Sequence, residues 1–177
     1  MFQTRWPMQI GGGLFLVCVG IGVIGAGLLG GVSGLRVFFG SAVVGFAAIL
    51  ISRKAARTRA GAPTRTQILA VCIAVIFEAI VFVSLSNSGL FGIWTEHMRW
   101  AVVLAVVNVH FIIMRWSHGP LMMALAISGL IWLGIASGLN VSLPLLICGD
   151  GVLKIAFGLI MAAPLLRAAP ADTSLES

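Results

Sequence analysis

Four side chains that can carry charge lie inside long apolar runs: Glu78, His110, Asp150 and Lys154, accompanied by Asn108. A charged residue at mid-bilayer costs about 2.5–3.5 kcal/mol on insertion scales, so such groups normally face a bundle interior or a wet cavity. Asp150 and Lys154 are four residues apart with the acid first, the favourable order for an intrahelical ion pair. Glu78 has no partner nearby in sequence and is expected to share Lys154 or hydrogen-bond His110. A carboxyl beside an imidazole is the chemistry a proton relay requires. At about 1.5 Å rise per residue, Glu78 lies roughly 12 Å inside Ser86. By the same rise Asp150 and Lys154 lie roughly 13 and 20 Å below Val141, and Asn108 and His110 roughly 16–20 Å below His97. The five polar residues are therefore expected to share one layer. Opposed to a transport site is a packing role, in which the same groups only fix helix register. Pro144, Gly149 and Gly151 are expected to weaken or bend the helix around Asp150, and broken helices line many transporter sites.

Other chemistries find little support. Cys18, Cys72 and Cys148 all fall within apolar runs, with no C-x-x-C spacing, and read as small packing residues. No H-E-x-x-H, no clustered metal ligands and no G-x-S-x-G occur, so neither a metal nor another cofactor is expected. Cys72 precedes Glu78 by six residues and Cys148 precedes Lys154 by six. This echo would fit two inverted three-span halves.

The elements that carry these residues follow from composition. The chain has 177 residues, 60% hydrophobic and 9% charged, with a mean hydropathy of +1.13. Soluble domains carry roughly 25% charged residues, so a cytosolic globule is excluded, and disorder is excluded by the hydrophobicity. A span needs about 20 apolar residues. Six such runs are expected at 8–30, 35–52, 66–86, 97–116, 120–137 and 141–166, giving an all-α integral membrane protein, a compact bundle of six transmembrane helices forming one domain over 1–177. Gly31–Gly34 is expected as a tight turn, Arg53–Arg65 as the longest loop and 167–177 as a short cytoplasmic tail. None of these can fold into a nucleotide-binding or catalytic domain. The first run exceeds the 7–15 residues of a signal-peptide core and is expected to be retained. Trp6, Trp94, Trp100 and Trp116 lie near span ends, as interfacial anchors do.

The net charge of +6 could suggest nucleic acid, but the placement of the charges argues for topology. Arg53, Lys54, Arg57, Arg59 and Arg65 crowd one connection with no acid among them. Cytoplasmic loops collect Lys and Arg, which sets both termini inside (N-in, C-in) with Arg5, Arg115, His118 and Arg167. Arg36, Arg99 and Glu96 fall on the other side. The expected location is the inner or plasma membrane, and the expected partner of the basic stretch is the anionic lipid head group, worth roughly 1 kcal/mol per residue near the surface. No nucleic-acid partner is expected.

Twenty-two glycines suggest close helix packing. Gly22/Ala26/Gly30, Gly27/Gly31 and Gly134/Gly138 form small-residue ridges that allow backbones to approach. Such Gly-rich faces serve packing within one chain or a homo-oligomer.

The stretch Asn108–Gly134, NVHFIIMRWSHGPLMMALAISGLIWLG, resembles a motif of uncharacterised small bacterial polytopic membrane proteins, in which a helix reaches an intramembrane His-Phe pair before a short basic turn and another apolar helix. His110 and Phe111 match that pair. Ile112 and Ile113 stand where many such proteins have a proline. The resemblance implies a bacterial membrane protein of unassigned role and transfers no activity.

The leading expectation is a small transporter or permease-like unit whose polar layer, Glu78, Asn108, His110, Asp150 and Lys154, is coupled to protons. The alternative is a structural or regulatory membrane subunit, and a third reading is a lipid-modifying membrane enzyme with His110 as base.

Overall fold

The computed structural model describes residues 6–166. Arg5, Arg167 and the 167–177 tail lie outside the described residues. Seven helices follow in order: α1 Gln9–Leu29, α2 Gly31–Ala60, α3 Arg65–Asn87, α4 Leu90–Ile93, α5 Glu96–His118, α6 Pro120–Gly138 and α7 Leu143–Leu166. All but the four-residue α4 are long and apolar enough to cross a membrane. They coincide with the six expected runs, and no strand occurs among the described residues.

Two boundaries differ from expectation. Gly31–Gly34 is the first turn of α2 rather than a tight turn, because the chain reverses entirely at Gly30 and Gly31, with φ of 61° and 47°. The second run does not stop at 52. Arg53 to Ala60 continue α2 as helix, since Ala, Arg and Lys are strong helix formers and water can solvate their charges. Gly61, with φ 81°, ends it. At about 1.5 Å per residue α2 is about 45 Å long, longer than the ~30 Å hydrocarbon layer. Beyond it Thr64 caps α3: the Gln67 amide donates to Thr64 Oγ1 at 3.3 Å and the Thr64 amide donates to Gln67 Oε1 at 2.9 Å. This reciprocal pair satisfies two donors that the helix start leaves free. Thr95 caps α5 by accepting from the Met98 amide.

The spans pack as a sequence of neighbours: α2 on α1, α1 on α7, α7 on α6, α6 on α5 and α5 on α3. The tightest seam joins α1 and α7. A Cβ placed on Gly13 would lie 2.7 Å from the Gly158 carbonyl oxygen, and one on Gly158 would lie 2.7 Å from the Gly13 carbonyl oxygen. Gly20 and Gly151 face each other in the same way, and Gly27 meets Ile147 and Cys148. These glycines recur every seven residues on both helices. Such spacing keeps one seam in register when helices cross at a shallow angle of about 20°.

The expected ridges divide differently. Gly22 packs on Ser41 and Gly25 on Val37, both of α2, whereas Gly30, Gly31, Gly134 and Gly138 have open space beside them. Large apolar side chains cover the outside, including Phe39, Val43, Phe46 and Leu50 of α2 and Ile73, Ile76, Ile80 and Val83 of α3. A membrane bundle can leave such groups outward because lipid is as apolar as they are. The anticipated inverted halves do not match in packing: α6 packs along α7, but α2 does not pack along α3 in the same way. Cys72 is exposed, and the Cys148 thiol is directed at the Ile24 carbonyl oxygen, 3.7 Å away.

Candidate functional site

The polar layer forms around α5. Asn108 and His110 are two residues apart, about 200° around a helix of 3.6 residues per turn. They therefore leave α5 on opposite sides. Asn108 enters the α5–α6–α7 core, whereas His110 turns towards α3. Leu104, Phe111, Leu125, Leu133, Leu146 and Met161 supply the surrounding apolar packing.

On the inner side, Asp150 accepts from two donors. Asn108 Nδ2 donates to its Oδ1 at 2.9 Å, and the Lys154 ammonium pairs with its Oδ2. Asn108, Asp150 and Lys154 are each 1% exposed or less. A buried ion pair holds together only where its remaining hydrogen-bonding capacity is met, and the Asn108 amide meets part of it. The Lys154 ammonium also sits 5.7 Å from the centre of the Phe111 ring, within the range of a cation–π contact. Gly129 of α6 makes room for the Asn108 side chain, whose amide atoms occupy the place a Cβ would need.

On the outer side, Glu78 Oε2 lies 2.7 Å from His110 Nδ1. The side chains are 26% and 11% exposed, so this pair is less enclosed than the inner cluster. Their approach lacks hydrogen-bond alignment and becomes an ion pair only with a protonated imidazole. His110 Nε2 faces the Met114 sulfur at 3.0 Å. The His110 and Phe111 rings pack with centroids 4.6 Å apart. Phe111 thus touches both sides, with the His110 ring on one and the Lys154 ammonium on the other.

Among the described residues, two buried side-chain polar atoms lack a hydrogen bond, Asn108 Oδ1 and His110 Nδ1. Both belong to this layer. No group of three or more His, Cys, Asp or Glu side chains suited to a metal occurs among the described residues.

Glu78 is brought to His110 and not to Lys154, and all five polar residues identified from the sequence fall into two contacting clusters. α7 runs unbroken past Asp150. Pro144 does not bend it, because it occupies the first turn, where a missing N–H is tolerated. Gly149 accommodates the Trp132 ring, whose Nε1 donates to the Leu146 carbonyl at 2.9 Å. Sequence reasoning did not anticipate that Phe111 would touch both clusters, although its place beside His110 was visible, nor the role of Gly129. It also placed His118 with Arg115 at the cytoplasmic interface. His118 is only 4% exposed and packs against Gly12, since α5 continues through it and a single residue, Gly119, joins α5 to α6.

Arg53, Lys54, Arg57 and Arg115 lie at one end of the bundle. The start of α1, the end of α2 and the α5–α6 junction meet there, with Ile49 beside Gly11, His118 against Gly12 and Trp6 on Gly119. Arg53 and Arg57 line two recesses at this end.

Six helices able to cross a bilayer, enclosing a buried polar layer, define an all-α bundle of the multi-pass membrane class. The chain belongs to the family described as "Family of unknown function (DUF6609)", whose model matches residues 2–166. The likeness to an uncharacterised family noted in the sequence holds at that level. No curated protein and no solved structure matches the chain.

Proposed function

We propose that the protein is a small transporter or permease-like unit of a bacterial inner or plasma membrane, and that its polar layer handles protons. The observation that carries this reading is the unfilled Asn108 Oδ1 beside the Asp150–Lys154 pair. An orphaned buried acceptor calls for an explanation, such as an internal water or a functional role, and here it offers a place for a donor from water or a small solute. Glu78 and His110, less enclosed, are the pair through which a proton would enter. Phe111 contacts both the His110 ring and the Lys154 ammonium.

The test is proton uptake by vesicles carrying the purified protein, driven by a potassium diffusion potential and read with an internal pH dye. Uptake above that of empty vesicles is expected for the parent, and Glu78→Gln should reduce it to the empty-vesicle level while folded protein is retained. If the parent shows no uptake, the proton-handling reading fails. The second reading, a structural or regulatory subunit, is favoured by one observation: Asp150 is satisfied at both oxygens and sealed with Lys154.

In this reading both termini face the cytoplasm, supported by the gathering of Arg53, Lys54, Arg57 and Arg115 at one end. A reporter fused after Arg59 should be active as a cytoplasmic fusion and one fused after Ser88 as an external fusion; the reverse pattern would invert the orientation.

A further inference from the structure

The recess where the start of α1, the end of α2 and His118 meet takes no part in the central layer. It has a volume of about 250 Å3. Arg53 and Arg57 stand one turn apart on α2 and both border it. The carboxylate contacts with basic groups among the described residues are Glu78–His110 and Asp150–Lys154, so neither arginine has a carboxylate partner there. His118 also borders the recess although it is 4% exposed. Its Nδ1 lies 2.7 Å from Ser117 Oγ, and its Nε2 edge faces Gly12 of α1. Gly11 and Gly12, in the first turn of α1, form another wall, which places the positive end of that helix dipole at the recess.

The same site has an apolar side. Leu50 borders this recess and a second one of about 440 Å3 on the outer face of α2, shared with Ile51, Arg53 and Arg57. Leu50 and Ile51 are 69% and 84% exposed. Paired guanidinium groups suit a phosphate, which they can grip with two parallel N–H donors. Exposed aliphatic side chains one turn away suit a hydrocarbon chain.

We infer that this recess binds the phosphate of an anionic phospholipid. Arg53 and Arg57 neutralise the phosphate, His118 Nε2 lies within the same pocket as a hydrogen-bonding group, and Leu50 and Ile51 carry the adjoining acyl chain. The site shares with the proposed transport reading only its placement in a membrane, and it stands or falls without proton uptake. It also differs from a diffuse attraction between basic residues and a charged surface, because it assigns the binding to two arginines and not to Lys54, which borders only the outer recess.

Native mass spectrometry of the full-length protein, released from bilayers of equal phosphatidylglycerol and phosphatidylcholine, tests this. The parent should retain phosphatidylglycerol preferentially. The Arg53→Gln/Arg57→Gln double variant should lose that retention by roughly tenfold or more, and Lys54→Gln by less than about twofold. Thermal unfolding of each variant reports folding separately. If the double variant does not accumulate, Arg57→Lys replaces it. That change keeps the charge and removes the fork, and should give a smaller loss than Arg53→Gln but a larger one than Lys54→Gln. Equal retention of the two lipids by the parent would overturn the inference, as would equal losses in the Lys54 and arginine variants. In a parallel arm, inorganic phosphate is titrated against lipid-free protein. Saturable binding there that the arginine variants abolish, without lipid preference, would assign the recess to free phosphate instead.

Discussion

Replacing Asp150 with Asn alone is expected to destabilise the bundle severely, by about 3–5 kcal/mol, because it leaves a buried ammonium without its counter-charge. Lys154 is 1% exposed and lies in the middle of α7. Its remaining neighbour of note is the Phe111 ring, and a desolvated cation–π contact, worth about 2 kcal/mol or more, does not replace a counter-charge. The loss is comparable to a large part of the roughly 5–15 kcal/mol by which folded domains are usually stable, so the protein should become scarce in membranes. The double variant Asp150→Asn/Lys154→Met removes both charges and should recover most of the loss, since replacing a buried pair by groups of similar size is often neutral or stabilising. Membrane abundance and thermal unfolding in detergent read both effects. A single variant as stable as the parent would show that Lys154 finds another partner or sheds its charge. A double variant that is stable yet inactive in proton uptake would separate the pair's work from its contribution to stability.

The second large effect concerns the α1–α7 seam. Gly20→Ala should destabilise by about 1–3 kcal/mol, the usual penalty for overpacking. Its new Cβ would lie 2.7 Å from the Gly151 carbonyl oxygen and 3.0 Å from the Ile155 amide nitrogen. Backbone atoms cannot rotate away as a side-chain end can, so the helices must separate. Gly151→Ala should behave alike, because the contact is mutual. Gly134→Ala is the control with the opposite sign. Its surroundings are open, and Ala in a helix interior is favoured over Gly by about 0.5–1 kcal/mol. Thermal unfolding of the three variants checks the ordering, and equal shifts for Gly20 and Gly134 would refute the seam as described.

The contrast between these glycines shows what the sequence could reveal. The runs of apolar residues announced six spans because length and hydrophobicity are local properties. The extension of α2 through Arg53–Ala60 was misjudged because charge marks the edge of a membrane and not the end of a helix. Glycine pairs four apart were given weight as packing ridges, yet Gly134 and Gly138 have nothing packed beside them among the described residues. The seam uses spacings of seven, Gly13/Gly20/Gly27 and Gly151/Gly158, and which helices meet is a tertiary fact that no single run contains. The Asp150–Lys154 contact was legible because it is local to one helix. That Glu78 meets His110, and Asn108 meets Asp150, depended on the order in which the helices pack. The exclusion of charge from lipid nevertheless identified these residues, because each needs an explanation wherever it lies.

The seam between α1 and α7 also bears on the order of assembly. α1 packs most closely on α7, which is made after all the spans between them. Until α7 leaves the ribosome, the glycine groove of α1 lies uncovered. α7 then brings Asp150 and Lys154 into the bilayer as a ready-made, nearly neutral pair, and meets an amide already in place on α5. One late event thus closes the backbone seam and completes the polar cluster, so a chain halted before α7 would lack both.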